Sequence, residues 1–239
     1  MRSDLGLSSG WSGRMYQSYN ATVDWRNSVA VDWKQYKNGE GMRVLIIGSG
    51  LDSHQDLKRV EGYNLSTGNP YTLDDFNGHS TFIAGIIAGK GEYYIKGIAP
   101  KAEVSPVKIF DNNELADFRT LETALLWGLD NYASVVLVDV ELFNTLPSTI
   151  KNIIVDLEKD GIPVFINDRK NGDFDFNKFD SDFQNNSCWL DNWYKKAECI
   201  DNSLAIAVGL AVLIKEKFID IKADEIYSKI DAILFPKEK

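Results

Sequence analysis

Two histidines and two cysteines are all that the chain offers among the side chains that most often bind transition metals. His54 and His79 lie far from Cys188 and Cys199, no Cys-x-x-Cys pair exists, and a structural zinc site has almost nothing to draw on. Carboxylates are more plentiful. Asp139 and Glu141 flank Val140 at the end of a β-branched run, where such a pair holds a cation or a basic peptide, or is simply solvated. Asp173, Asp175 and Asn177 begin like a calcium loop, but Lys178 stands where that loop needs Gly and Gln184 where it needs Glu, which excludes an EF-hand. Gly48-Ser49-Gly50-Leu51-Asp52-Ser53 follows Val44-Leu45-Ile46-Ile47 and imitates a phosphate-binding turn. Such a turn needs a helix directly behind it, and the polar stretch His54-Gln55-Asp56-Leu57-Lys58-Arg59 carries no apolar stripe to form one. No cofactor is expected.

The elements that must position these residues alternate in kind. Short apolar runs predict strands at 44–47, 104–110, 135–140 and 162–166, and helical patterns predict helices at 79–88, 115–131 and 148–160, with a buried helix beginning near 203. Leu115, Phe118, Leu121, Leu125 and Leu129, spaced by three and four, give the second helix one apolar stripe. The strands scarcely alternate between apolar and polar, which implies a parallel sheet covered on both faces by crossover helices. Residues 1–40, rich in Ser, Asn, Tyr and Trp, read as an arm that packs aromatics onto a body spanning 41–239, and 171–186 reads as a long irregular excursion.

Composition bounds the function. In 239 residues, 35 acidic against 26 basic side chains leave a formal charge of −9, and no basic cluster offers the counterion release that drives nucleic-acid binding. Anionic membranes are disfavoured for the same reason. The longest apolar run, 204–214, is too short to span a bilayer. The first ten residues lack the apolar core of a signal peptide, so a cytoplasmic protein with reduced thiols is the expectation.

Several stretches, in order, resemble the motifs of subtilisin-like serine peptidases (subtilases, S8). Val44-Leu45-Ile46-Ile47-Gly48-Ser49-Gly50-Leu51-Asp52 resembles the family's first strand and its Asp-Thr/Ser-Gly-Ile-Asp turn, and Ser53-His54-Gln55-Asp56-Leu57 is similar to the His-Pro-Asp-Leu that follows. Asp75-Phe76-Asn77-Gly78-His79-Ser80-Thr81-Phe82-Ile83-Ala84-Gly85 resembles Asp-x-x-Gly-His-Gly-Thr-His-Val-Ala-Gly. Gly97-Ile98-Ala99-Pro100-Lys101-Ala102 and the strand Val107-Lys108-Ile109-Phe110-Asp111 look like the family's next segment. The resemblance implies a three-layer α/β fold with a central, mostly parallel β-sheet flanked by helices.

The same resemblance implies a broken catalytic set. Gly48 stands where the family has its catalytic Asp, His79 falls on the catalytic His, and Ser203 in Asp201-Asn202-Ser203-Leu204-Ala205 is the best match to the nucleophile, though it reads equally well as a helix N-cap. The substrate-lining Ser-Leu-Gly falls near Asp139-Val140-Glu141, bringing carboxylates where peptide backbone pairs with an extended strand. The oxyanion Asn falls near Lys170-Asn171 without its customary neighbours. Loss of the carboxylate that orients the histidine lowers turnover by about ten-thousand-fold in such a triad. The expected function is therefore a proteolytically impaired, subtilase-like pseudoenzyme that binds a protein or peptide at the former cleft, through Asp139, Glu141, Lys170 and Asn171. The alternative is a weak or specialised serine endopeptidase using His79 and Ser203, with a substitute carboxylate from Asp74 or Asp75.

Overall fold

The strand residues 43–48 are apolar on both faces, and the computed structural model shows why: Val44 to Ile47 are all buried at the centre of a five-stranded sheet. The structure describes residues 7–8, 23–66, 69–110, 115–142, 146–166 and 198–235. Its short strands before the sheet are β1 (Leu7–Ser8) and β2 (Val23–Asp24). The sheet itself contains β3 (Arg43–Gly48) and β4 (Tyr63–Asn64). After α1 (His79–Ala88) and β5 (Ile95–Lys96), it gains β6 (Glu103–Lys108). Then come β7 (Leu115–Ala116), α2 (Phe118–Asp130), β8 (Val135–Val138) and β9 (Glu141–Leu142). The chain continues through α3 (Ser148–Lys159), β10 (Val164–Ile166), α4 (Glu198–Lys217) and α5 (Ala223–Leu234).

The sheet order is β10-β8-β3-β6-β4, and every neighbouring pair is parallel. From β3 the chain moves outward through β4 and back to β6; it then crosses to β8 and builds the other side. The winding therefore reverses between β3 and β8, the kind of point at which open parallel sheets form a crevice beyond their carboxyl ends.

Two apolar cores lie on opposite faces. Val44, Ile46, Val104, Val135 and Leu137 pack with α1, α4 and α5, whereas Leu45, Ile47, Val107, Val136 and Val138 pack with α2 and α3. This is the expected three-layer arrangement. α1 and the part of α4 from Ser203 to Ile214 are buried nearly all round, so neither needs a polar face. Each fully buried Leu, Ile or Val there contributes roughly 1.5–3 kcal/mol relative to exposure.

The helix expected at 115–131 starts later. Leu115 and Ala116 are in β7, and Asp117 caps α2 by accepting the Thr120 N–H at 2.8 Å. Leu121 and Leu125 keep their place in the apolar stripe, while Leu129 is 36% exposed. The segment 23–41 is stitched to the body by polar contacts. Arg26 donates to the Ile98 carbonyl and stacks over Trp33 at 4.9 Å, and Glu216 in α4 accepts the N–H groups of Lys37, Gly39 and Glu40. At the far side of the sheet, the Tyr227 hydroxyl of α5 accepts from the Val164 N–H of β10 at 2.9 Å and donates to Glu158 at 2.7 Å. Burial and the Glu158 carboxylate push that phenol well above its ordinary pKa.

Candidate functional site

Gly48 ends β3 and Asp139 follows β8, one residue beyond the paired Ile47 and Val138. The Asp139 N–H donates to the Ile47 carbonyl at 2.8 Å, which continues the ladder to this residue and holds it beside Gly48. On the other side, Gly48 is in register with Lys108 of β6, which in turn is paired with Asn64 of β4. Lys108 is buried, with its ammonium donating to the Asp74 carbonyl and lying 5.3 Å from the Phe76 ring. One polar row thus crosses the carboxyl ends of four strands.

His79 enters this rim from the first turn of α1. The helix can begin there because Gly78 adopts φ 81°, a left-handed conformation that L side chains resist, and because Asp75 holds the turn. Asp75 accepts from the Gly78 N–H at 3.0 Å, the Thr81 N–H at 2.8 Å, the Thr81 hydroxyl at 2.7 Å and the Ser49 hydroxyl at 2.8 Å. Those contacts match the roughly four acceptor positions of a carboxylate. Asp75 is therefore an anchor of the helix start, and Asp74 is exposed, so neither is the carboxylate that meets His79.

Asp139 meets it. His79 Nε2 lies 3.0 Å from Asp139 Oδ1, and Ser80 Oγ donates to Asp139 Oδ2 at 2.7 Å. Asp139 is 7% exposed and His79 4%, so the pair is shielded, and the reading of Asp139 as a solvated rim carboxylate is corrected. A solvated carboxylate was the simpler reading because the sequence does not disclose that β8 lies beside β3. With Asp139 ionised, Nε2–H donates to it, which leaves any proton-accepting role to Nδ1.

Ser80 is the residue whose importance the sequence understated. It occupies the position where the resemblance expects Gly, and that departure was the available signal. Its oxygen accepts from the Ser49 N–H at 3.1 Å while its proton goes to Asp139; Ser49 in turn gives its proton to Asp75. Each hydroxyl has a single proton, so the order Asp75, Ser49, Ser80, Asp139, His79 forms a chain with defined donors. Gly48 sits against that chain. A Cβ at this position collides with Ser80 Oγ and comes within 3.2 Å of Asp139 Oδ2, so the space beside β3 is filled by side chains from α1 and β8.

Ser203 lies in the second turn of α4, whose first residue is Glu198, and is 2% exposed. The N-cap reading is thereby overturned: five helical residues precede the serine. Glu141 belongs to β9, and Lys170 and Asn171 lie outside the described residues, as does the 173–184 segment. No helix follows Gly48-Ser49-Gly50, which removes the structural support for a nucleotide turn. Among the described residues there is no cluster of three or more His, Cys, Asp or Glu suited to a metal ion, and no helix is long and apolar enough to cross a membrane.

A second carboxylate shows how else the fold holds a buried anion. Asp56 accepts the N–H groups of Glu92 and Tyr93 on Oδ1 and those of Tyr94 and Ile95 on Oδ2, at 2.6–3.0 Å. Burial pushes this carboxyl up, but the four N–H donors together outweigh it and hold it below its ordinary value.

Comparison with known proteins takes in Gly48, His79 and Ser80 through a family match that ends before Asp139 and Ser203. The model of the Subtilase family matches residues 15–133. The Minor extracellular protease Epr of Bacillus subtilis (strain 168) is 36% identical over 105 residues, covering 44% of this chain and 16% of that protein. Membrane-bound transcription factor site-1 protease of Homo sapiens is 30% identical over 152 residues, covering 60% and 14%. Subtilisin Savinase of Lederbergia lenta is 32% identical over 94 residues, covering 39% and 35%. The matches thus span 14% to 35% of the lengths of these relatives. Among solved structures, fervidolysin from Fervidobacterium pennivorans, a keratinolytic enzyme related to subtilisin, aligns at 23% identity with a TM-score of 0.49, covering 58% of this chain and 23% of that one.

Proposed function

The chain belongs to the subtilase family through residues 15–133, and from that premise we propose that it is a non-proteolytic member that works by binding an extended peptide or protein segment at the former cleft. One observation carries this reading: the carboxylate at the histidine directly follows β8 instead of standing at the end of β3, and it is buried, as are His79 at 4% and Ser203 at 2% exposure. A general base must reach the proton that it removes, and a nucleophile must reach its carbonyl. Burial of both side chains opposes those requirements. In this reading the Asp139–His79 pair pins the start of α1 to the end of β8, and its work is structural.

A second reading has its own support. The 3.0 Å contact between His79 and Asp139 supplies an orienting carboxylate from a neighbouring strand, which is what a specialised peptidase needs. A fluorophosphonate probe decides between them. On the full chain we expect no covalent labelling and no hydrolysis of a denatured protein substrate. Labelling of Ser203 that disappears in both His79→Ala and Asp139→Ala overturns the non-proteolytic reading.

A further inference from the structure

Asn-Gly occurs at 38–39, 77–78 and 171–172, and the last pair lies outside the described residues. In this dipeptide the glycine nitrogen, unhindered by a neighbouring side chain, can attack the asparagine amide and close a succinimide ring. Asn38 and Gly39 form the turn before β3, both at positive φ, 72° and 84°. Packing demands glycine at the second place: a Cβ there comes within 3.0 Å of the Ala99 Cβ and 3.1 Å of the Ala102 Cβ. The Gly39 N–H donates to Glu216 Oε1 at 2.9 Å, so a carboxylate already holds the proton that the attack must remove. Arg26 Nη2 donates to Asn38 Oδ1 at 2.5 Å, which puts a cation on the oxygen where negative charge develops. Asn38 is half-buried, so water reaches it. At Asn77–Gly78 the corresponding base is Asp75 at 3.0 Å, but the amide oxygen accepts from the neutral His79 N–H, and Asn77 is only 6% exposed.

We infer that Asn38–Gly39 is a self-modification site at which Glu216 and Arg26 promote ring closure, and that its isoaspartate product loosens the segment 23–41. In the first step the Gly39 nitrogen bonds to Asn38 Cγ, its proton passes to Glu216, and the carbonyl electron pair moves onto Oδ1 beside Arg26. The intermediate then collapses: the bond from Cγ to Nδ2 breaks, Nδ2 takes the proton from Glu216 and leaves as ammonia, and the succinimide remains. Water opens the ring at either carbonyl and leaves aspartate or isoaspartate at position 38. Nothing is oxidised or reduced, and only water is consumed. The isoaspartate form routes the main chain through the side chain, which inserts a methylene before Gly39. This turn is also where the segment is fastened. The Lys101 N–H donates to the Asn38 carbonyl at 2.8 Å, and Glu216 accepts the Lys37 and Glu40 N–H groups at 2.8 and 2.9 Å. A longer path through position 38 displaces those groups from their partners. The inference is independent of the peptide-binding reading, since it uses none of the same residues.

The experiment incubates the full chain at neutral pH beside a synthetic peptide of residues 33–44. Mass spectrometry of digests follows the loss of ammonia and the later gain of water, and enzymatic methylation reports isoaspartate. Asn38 is expected to convert roughly tenfold or more faster in the folded chain than in the peptide, and faster than Asn77. Glu216→Gln keeps an acceptor for the N–H groups but supplies no base, and should remove that advantage. Urea denaturation of the unaltered chain should remove it as well, which tests the folded contacts without a variant. Conversion no faster in the folded chain than in the peptide overturns the inference, because the contacts then protect the turn. An undiminished rate in Glu216→Gln overturns the role of that carboxylate. Hydrogen exchange on the aged chain reads the consequence: the amides of Lys37, Glu40 and Lys101 are expected to lose protection, and unchanged protection in the isoaspartate form overturns the loosening.

Discussion

Asp56 and Asp139 are both buried carboxylates, and they are held in opposite ways. Asp56 is cradled by four backbone N–H groups from a single turn, whereas among the described residues Asp139 meets side chains at its two oxygens, His79 on one and Ser80 on the other. A backbone cradle exists whatever side chains the turn carries, so its anion is fixed by the path of the chain. A side-chain cradle is as movable as the residues that form it. That difference explains how the rim tolerates Gly48 on β3: the negative charge needs only a neighbouring strand in register and a hydroxyl to bridge the gap.

The largest effect expected from this contrast is at Asp56. Asp56→Ala leaves four N–H donors without their acceptor and should destabilise the protein by about 4 kcal/mol in urea unfolding. It should also change the acid limb of stability. Because the folded carboxyl titrates below its ordinary value, its contribution is complete above the unfolded value of about 3.9 and vanishes as pH falls through the lower folded one. The variant should lose less stability over that acidic interval than the unaltered chain, and an identical acid limb breaks the account of the cradle.

The next effect is at Gly48. Gly48→Asp places a second carboxylate against Asp139 and Ser80, and should cost about 3 kcal/mol. Adding Ser80→Gly and Asp139→Ser clears the space and should restore at least half of that loss in the same measurement. If the triple variant is no more stable than the single one, the two positions do not compete for one site. The smallest change, Ser80→Ala, removes a donor to Asp139 and an acceptor of the Ser49 N–H, and should cost about 1 kcal/mol by thermal or urea unfolding.

The sequence disclosed the local elements better than their neighbours. The 79–88 helix was legible to its ends because a glycine able to turn the chain precedes it and an apolar run fills it. The three-layer order followed from strands that are apolar on both faces. The final helix, Ala223–Leu234, went unread although Asp224 and Glu225 favour its first turn and Ile226 and Ile230 share one buried face. The two-residue strands carry no periodicity to detect. Asp139 was singled out, but its partner depends on the pairing of Ile47 with Val138, a contact between segments that are remote in sequence. Ser203 was misplaced for a related reason: the polar residues before it look like a cap unless the helix is known to have begun at Glu198.

Tyr227 has a consequence for how this molecule meets others of its kind. Its hydroxyl accepts the Val164 N–H at 2.9 Å and gives its single proton to Glu158 at 2.7 Å, with the Val164 carbonyl 3.1 Å away. A single phenol thus takes the donor that another β-segment would otherwise take. Among the described residues, this edge of the sheet offers one open donor fewer to the backbone of a second molecule, which weakens it as a template for self-assembly.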